Sequence, residues 1–215
     1  LPHPRIPLGR LRDRHAAHLL RNVSHLMVEG LRDFSGIGDK AQALRLWRTR
    51  VEKVAAVFHG SELRDPDAHR ARWEWSYVHD CKGEWLEMTK RLSAENRRIA
   101  KDLDIPLFCA SLDLLLDGQD RVWLPYVVDL SKWEMAAPRW EGKITVAHSP
   151  SRRNPPIKGT RFIDAAMAEL GSKVDYLSPA GGTSDMRGLF ARSHVVIDHV
   201  TGGYYSTTTA EALAA

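Results

Sequence analysis

Cationic side chains cluster in one loop of the second half of the chain, immediately before a segment with helical spacing. The loop runs from His148 to Thr160 and contains Arg152, Arg153 and Lys158 together with several hydroxyls. The N–H groups at a helix start favour an anion, an arginine offers two parallel donors, and a lysine adds a compact charge. The loop therefore suits a phosphate group bound before a helix capped by Thr160, although an ordinary solvated proline-rich loop explains it equally well.

A second hydroxyl-rich loop lies about 45 residues further along and carries no charge of its own. Gly202 and Gly203 allow a tight turn, and Ser206, Thr207 and Thr208 offer hydroxyls and N–H groups where a helix begins. The two loops together predict a site for an anion larger than one phosphate.

Glu211 follows the second loop and has two interpretations. A carboxylate at this place could bind a ligand hydroxyl. The spacing Thr208-Thr209-Ala210-Glu211 is also that of a capping box, in which Glu211 would reach back to the Thr208 N–H. On spacing alone the cap is favoured.

His59 ends a buried-type strand in the first half and has the flexible Gly60 beside it. Side chains at strand ends of a parallel sheet face a cleft, but a lone histidine is more often structural than catalytic. Asp198 and His199, at the end of another strand, are likewise either cleft residues or a local pair. Arg64 and its neighbouring aspartates are interpreted as loop charges.

The elements that must position these residues alternate between helix and strand. In the second half, apolar spacing predicts strands at residues 143–147, 174–177 and 194–197, and helices at 160–170, 184–192 and from 208 onward. In the first half it predicts helices near 11–22, 41–51 and 84–103, and strands at 24–29, 54–58, 106–110 and 121–125. Because right-handed crossovers bring the carboxyl ends of parallel strands to one edge, the second-half loops should meet there.

Composition and length favour two α/β units. The chain has 215 residues, of which 43% are hydrophobic and 27% charged, so it is neither disordered nor long in apolar runs. A shift to polar residues and isolated tryptophans predicts a linker at 131–142, between domains at 1–130 and 143–215. Neither end carries a start or stop signal, and we expect a fragment that needs further chain segments or a partner chain to complete its fold.

Charge and cysteine usage narrow the environment and the partners. Two cysteines cannot form a disulfide framework or a zinc site, which favours a reducing compartment such as the cytoplasm. The net charge of +4 suits an anionic ligand, but the seven tryptophans do not interleave with a basic stripe, so no nucleic-acid partner is expected. Arginines near the start could face anionic lipid in a membrane-peripheral enzyme, or simply form a solvated helix face: Arg5, Arg10, Arg12, Arg14 and Arg21.

Three segments in this order resemble the two-domain glycosyltransferases of the GT-B fold, and among them the retaining group called family 4. Residues 58–64 resemble the His-Gly segment of the acceptor-side domain. Residues 144–160 resemble the first strand and phosphate loop of the donor-side domain, and residues 195–212 resemble the stretch that ends in its Glu-Ala helix. The resemblance implies two Rossmann-like domains, each incomplete in this chain, because the family's first strands and the rest of its donor domain have no counterpart here.

The resemblance also implies a function and site residues. It implies a hexosyltransferase-like enzyme that moves a sugar, with retention of configuration, from a nucleotide-diphosphate sugar to an acceptor hydroxyl. No tightly bound cofactor is implied, and such a site need not use a metal. Arg153 and Lys158 match the family's diphosphate clamp, Glu211 its ribose ligand, and His59 would position the sugar or the acceptor. The residues that would bind the diphosphate through the backbone are Gly203, Tyr204, Ser206 and Thr207, and the base would lie near residues 178–183.

One departure from the family concerns sugar recognition. Many members carry a second glutamate eight residues before the ribose ligand, in contact with the donor sugar, and this position is Gly203 here. A non-catalytic nucleotide-binding or interaction module derived from a glycosyltransferase is therefore the alternative interpretation.

Overall fold

The computed structural model describes residues 14–15, 17–34, 36, 38–118, 120–133, 142–150, 156–179 and 182–215. Within these ranges the protein is an α/β molecule with two parallel β-sheets, one of four strands and one of three. The predicted fold class is thus confirmed at the level of parallel α/β architecture. No helix of the described residues is long and apolar enough to cross a membrane.

The first sheet contains four strands in the order of the chain. They are β1 (His25–Glu29), β2 (Lys53–Phe58), β3 (Leu107–Cys109) and β4 (Arg121–Trp123), and every neighbouring pair is parallel. Strand β2 alternates in burial, with Val54, Ala56 and Phe58 inside, which explains its strong apolar signal. All four strands were predicted, with ends that differ by one to two residues.

Three helices connect these strands. Helix α1 (Lys40–Arg48) begins at Asp39, whose side chain accepts from the Gln42 N–H, and buries Trp47 in the core. Helix α3 (Glu84–Asp102) buries one mixed face, with the apolar Leu86, Ile99 and Ala100 beside the polar Thr89, Ser93 and Asn96. Helix α2 (Pro66–Arg72) was not predicted, because its sequence is polar apart from two alanines and Pro66. Asp65 caps it and accepts from Asp67 N–H and Ala68 N–H.

The second sheet has its first strand in the middle. Strand β5 (Ile144–Ala147) pairs with β6 (Val174–Leu177) on one side and with β7 (Val195–Val196) on the other. The helices are α4 (Thr160–Leu170), α5 (Met186–Phe190) and α6 (Thr207–Ala212). Gly171 ends α4 at φ 54°, as predicted. The strands that follow β5 are therefore added first on one side of it and then on the other. A parallel sheet with such a topological switch point has a crevice at the carboxyl ends of its strands.

Each sheet has its own apolar cluster, and the two halves meet at a junction. Trp47, Phe58 and their neighbours form the first core, and Ala147, Leu189 and Phe190 belong to the second. At the junction the Tyr77 N–H donates to the Thr201 carbonyl at 3.1 Å. The predicted linker lies between the two sheets in sequence, but its residues 134–141 lie outside the described residues, so the domain boundaries stay a prediction.

Candidate active site

A cleft of about 430 Å³ opens where the three strands of the second sheet end. Its wall comes from the loop after β5, from the loop after β6 with the first residue of α5, and from helix α6, which follows β7. The segments after all three strands thus meet at one edge, as the crossover argument predicted. The residues that line it are Ser149, Lys158, Gly182, Thr183, Ser184, Met186, Thr208 and Glu211. One cation, one carboxylate and several hydroxyls therefore face a common space of the size of a ligand site.

Lys158 lies in this wall and is paired with Asp198. Its Nζ donates to Asp198 Oδ1 at 2.6 Å and to Thr208 Oγ1 at 3.3 Å. Since an ammonium has three donors, one N–H remains for a ligand. The loop that carries Lys158 begins after β5, so the pair joins the ends of β5 and β7.

Asp198 accepts from four groups and stays ionised although it is buried. Its Oδ2 accepts from the Ser206 N–H at 3.1 Å, from Ser206 Oγ at 2.6 Å and from Thr209 Oγ1 at 2.8 Å. Burial alone would raise the pKa of this carboxyl, but the charges of Lys158 and His199 and the hydrogen bonds lower the pKa to about 2. Asp198 thus ties Lys158 to the start of α6.

Glu211 lies in the cleft wall and is no cap. The N-cap of α6 is Ser206, whose Oγ accepts from the Thr208 N–H at 3.2 Å. The capping box predicted between Thr208 and Glu211 is therefore wrong, because the helix starts two residues earlier than that box requires. Glu211 instead contributes to the lining of the cleft.

Thr160 is also no N-cap. Gly159 caps α4 with φ 69°, and Thr160 is the first residue of the helix. The Thr160 hydroxyl lies 2.9 Å from Nε2 of His148, which is fully buried. This hydroxyl therefore fixes the β5 end against α4 and does not face a ligand.

The turn at Gly159 sits against the segment that follows β7. A Cβ at Gly159 would come within 2.7 Å of Thr201 Cγ2. Thr201 in turn donates to the Ile157 carbonyl at 2.9 Å. The close approach of these two segments brings Lys158 to Asp198.

The predicted backbone ligands of the second hydroxyl-rich loop, which follows β7, divide into two sets. Ser206 and Thr207 lie at the start of α6, beside the cleft. Gly203, at φ 68°, packs against the first half instead, since a Cβ there would come within 3.0 Å of the Trp73 ring. Tyr204 is turned the same way, with the Arg64 guanidinium 4.3 Å from its ring centroid, and burial raises its pKa to about 12.

His59 directly follows the last residue of β2, and its side chain is about half exposed. Its Nε2 lies 3.8 Å from Glu29 Oε1. Its ring stacks on Tyr126 with centroids 6.5 Å apart, and Tyr126 meets the edge of Tyr205 at 5.9 Å. A row of three rings thus runs from His59 to the loop that leads into α6.

Sequence reasoning missed part of the site, and one predicted residue cannot be placed. Arg153 lies outside the described residues. The role of Asp198 was left open between cleft residue and local pair, and the structure shows that it binds the cleft lysine. Arg64, interpreted as a loop charge, is buried and paired with Asp113. The residues around Arg64 do not predict this pairing, because Asp113 lies 49 residues away in the sequence.

Comparisons with known proteins leave the family of this chain undetermined. Scans against family models, curated proteins and solved structures return no significant match. Among the described residues, no cluster of three or more His, Cys, Asp or Glu side chains could hold a metal ion. A function for this chain is therefore proposed from the geometry of the cleft together with the motif resemblance of its sequence.

Proposed function

We propose that the protein is a glycosyltransferase that uses a nucleotide-diphosphate sugar and transfers the sugar to an acceptor hydroxyl. The observation that carries this proposal is the cleft at the edge of the second sheet, where Lys158, hydroxyls and Glu211 face one space. Crevices at switch points of parallel sheets are the usual ligand sites of α/β proteins. The resemblance to the GT-B family supplies the reaction class.

The diphosphate of the donor would lie against Lys158 and the hydroxyls of the cleft. Lys158 keeps one N–H for a phosphate oxygen, and Ser149 and Thr208 offer hydroxyls beside it. Arg153 belongs to the same loop in sequence and would supply a second, bidentate contact. Glu211 would accept hydrogen bonds from the ribose hydroxyls.

Catalysis in such a site is stabilisation of a leaving group. The bond from the anomeric carbon to the diphosphate oxygen breaks, and its electron pair stays on that oxygen. The acceptor oxygen forms the new bond to the anomeric carbon, with retention of configuration, and its proton passes to the departing diphosphate oxygen. Because negative charge grows on the diphosphate, a cation that is already in position stabilises the transition state more than the ground state.

His59 would act on the sugar or the acceptor from the first half. Its strand-end position and exposed ring support this role, and the aromatic row through Tyr126 and Tyr205 connects it with the donor side. An imidazole there can accept or donate one hydrogen bond at neutral pH.

One observation favours a non-catalytic nucleotide-binding module as the second candidate. Where the family carries a sugar-binding glutamate, Gly203 is packed against Trp73, so no side chain from this position reaches a sugar. Such a module would bind a nucleoside diphosphate and release no sugar from its glucose derivative.

Nucleotide binding is tested by thermal shift with ADP, GDP, UDP, CDP and dTDP. A ligand that binds only the folded protein raises its melting temperature. We expect one nucleotide to stabilise the protein and Glu211→Gln to weaken its binding about tenfold, because a charged hydrogen bond to the ribose is lost. Glu169→Gln, an exposed site on α4, is the matched control.

The two candidates and the proposal itself are separated by the outcome. Release of sugar from the corresponding glucose nucleotide supports the transferase, and tight nucleotide binding without release supports the module. If none of the five nucleotides stabilises the protein, both are wrong.

A further inference from the structure

A buried arginine at the junction of the two halves has no part in the proposed chemistry. Arg64 is 2% exposed, and its Nε donates to Asp113 Oδ2 at 2.5 Å while its Nη2 donates to Asp113 Oδ1 at 3.1 Å. This two-pronged pairing fixes the plane of the guanidinium. Arginines are seldom fully buried unless they are paired, and this one pairs with a carboxylate on the short 3-10 helix Leu112–Asp117, which follows β3.

The guanidinium contacts both turns that border the proposed reaction. On one side it lies beside Gly60, whose Cβ, if present, would be 3.4 Å from Arg64 Nη1. On the other side it covers the Tyr204 ring at 4.3 Å from the centroid. Gly60 follows His59 directly, and Tyr204 lies two residues before the N-cap of α6.

One short segment, residues 111–113, binds both Arg64 and the His59 backbone. Asp113 pairs with Arg64, and Ser111, two residues earlier, donates from its hydroxyl to the His59 carbonyl at 2.6 Å. The His59 turn, Arg64 and the Tyr204 turn are therefore joined through one short stretch of chain. A shift of the guanidinium would move the His59 turn relative to the start of α6.

The donor cleft has separate support. Asp198 joins Lys158 to Ser206 and Thr209 entirely within the second half. Loss of Arg64 should therefore leave the nucleotide site intact. The His59 turn of the first half should, however, shift relative to that site.

We propose that Arg64 is a positioning residue that holds the His59 turn in register with the donor cleft. This inference rests on the proposed function, because it assigns the register a role in sugar transfer. It predicts an effect on turnover without an effect on nucleotide affinity. A misplacement of about 1 Å can lower a rate about a hundredfold.

The test compares Arg64→Lys with Arg161→Lys. A lysine keeps the charge but cannot form the bidentate pair or lie flat on a tyrosine ring. Arg161 also bridges the halves, through a bidentate pair with Asp80 at 2.8 and 2.9 Å, but it is largely exposed and touches neither turn, which makes it the matched control. Tyr204→Leu removes the ring under Arg64 and leaves the Asp113 pair in place.

Turnover of the glucose nucleotide is measured together with the dissociation constant of the matching nucleoside diphosphate. We expect Arg64→Lys and Tyr204→Leu to lower kcat by at least about tenfold while the dissociation constant stays within about threefold of the original. Arg161→Lys should change neither quantity. Unchanged turnover in Arg64→Lys, or equal losses of turnover and nucleotide affinity, would overturn the positioning role.

Hydrogen exchange supplies a readout that does not need activity. In Arg64→Lys, amides of both turns, residues 59–63 and 202–205, should exchange faster, and in Arg161→Lys neither should. If the original protein binds no nucleotide and turns over no sugar nucleotide, the proposed function is wrong. Faster exchange in both turns of Arg64→Lys would still show that Arg64 couples the two turns. If only the turn at 59–63 responds, the coupling is wrong as well.

Discussion

Lys158 and Asp198 share donors and acceptors that a bound phosphate would also seek. The Asp198 carboxylate already accepts hydrogen bonds from the lysine, from Ser206 and from Thr209, so it uses donors beside the cleft that a phosphate could otherwise bind. A diphosphate must therefore approach the side of the ammonium that faces away from Asp198. Because the pair is formally neutral, we propose that more of the attraction for a phosphate comes from Arg153, which the resemblance assigns to the diphosphate clamp.

Replacement of Lys158 by Met should destabilise the fold as well as the ligand complex. The change leaves the Asp198 carboxylate buried without its cation, and we expect the free energy of unfolding to fall by about 2–3 kcal/mol, since the pair is not wholly excluded from water. Asp198→Ala added to Lys158→Met should cost less than the sum of the two single changes. Urea unfolding measures all three variants, with the exposed Lys173→Met as control; strictly additive losses would show that the pair is not coupled.

Helices and strands were predictable from the sequence where burial follows a simple period. Strand β6 and helix α4 were predicted with the ends that the structure shows, because their apolar residues recur at the spacing of a strand and a helix. Helix α2 was missed because it buries His69 and Pro66 instead of an apolar stripe. The N-cap of α4 was misplaced by one residue, because the Thr160 hydroxyl binds His148 instead of the helix start. The N-cap of α6 was misplaced by two residues, because Ser206, held by Asp198, caps the helix ahead of Thr208.

Gly159 tests how closely the cation loop must approach the segment after β7. An alanine there would suffer both the left-handed backbone, at φ 69°, and a contact of 2.7 Å with Thr201. We expect Gly159→Ala to lower stability by more than the roughly 1 kcal/mol that the backbone conformation alone costs, and to weaken nucleotide binding by moving Lys158.

Gly171→Ala separates the two causes. Gly171 has φ 54°, but apart from its chain neighbours no atom of the described residues lies within 4 Å of the place that a Cβ would take, so an alanine there meets only the backbone cost. If Gly159→Ala and Gly171→Ala lose equal stability in thermal unfolding and bind nucleotide equally well, the close approach at Gly159 has no role in the site.

The two halves are joined by polar contacts that the periodicity of apolar residues does not predict. His69 Nε2 lies 2.9 Å from the Gly202 carbonyl, and its Nδ1 lies 2.7 Å from Ser76 Oγ. Since a carbonyl can only accept, Nε2 carries the proton and Nδ1 accepts from the Ser76 hydroxyl. Partners 133 residues apart cannot be paired from one sequence, and for this reason the strands were predictable while the junction between the sheets was not.

The junction should therefore weaken in mild acid. Burial lowers the pKa of His69 below its ordinary 6.5, and the Gly202 carbonyl opposes that shift only in part. As the pH falls below 6.5, the unfolded chain takes up a proton before the folded one does, so the free energy of unfolding declines until the pH reaches the folded pKa. His199 is also buried with a lowered pKa and acts in the same direction. The slope for each histidine is at most about 1.4 kcal/mol per pH unit.

Urea unfolding at pH 7.5, 6.5 and 5.5 measures this slope. His69→Gln cannot be protonated and keeps an amide donor for the Gly202 carbonyl, so its stability should decline less steeply with acid than that of the original protein. His25→Gln, at an exposed site on β1, is the control for the replacement itself. An equal slope in His69→Gln and the original protein would mean that the neutral imidazole at the junction does not contribute to the acid sensitivity of the fold.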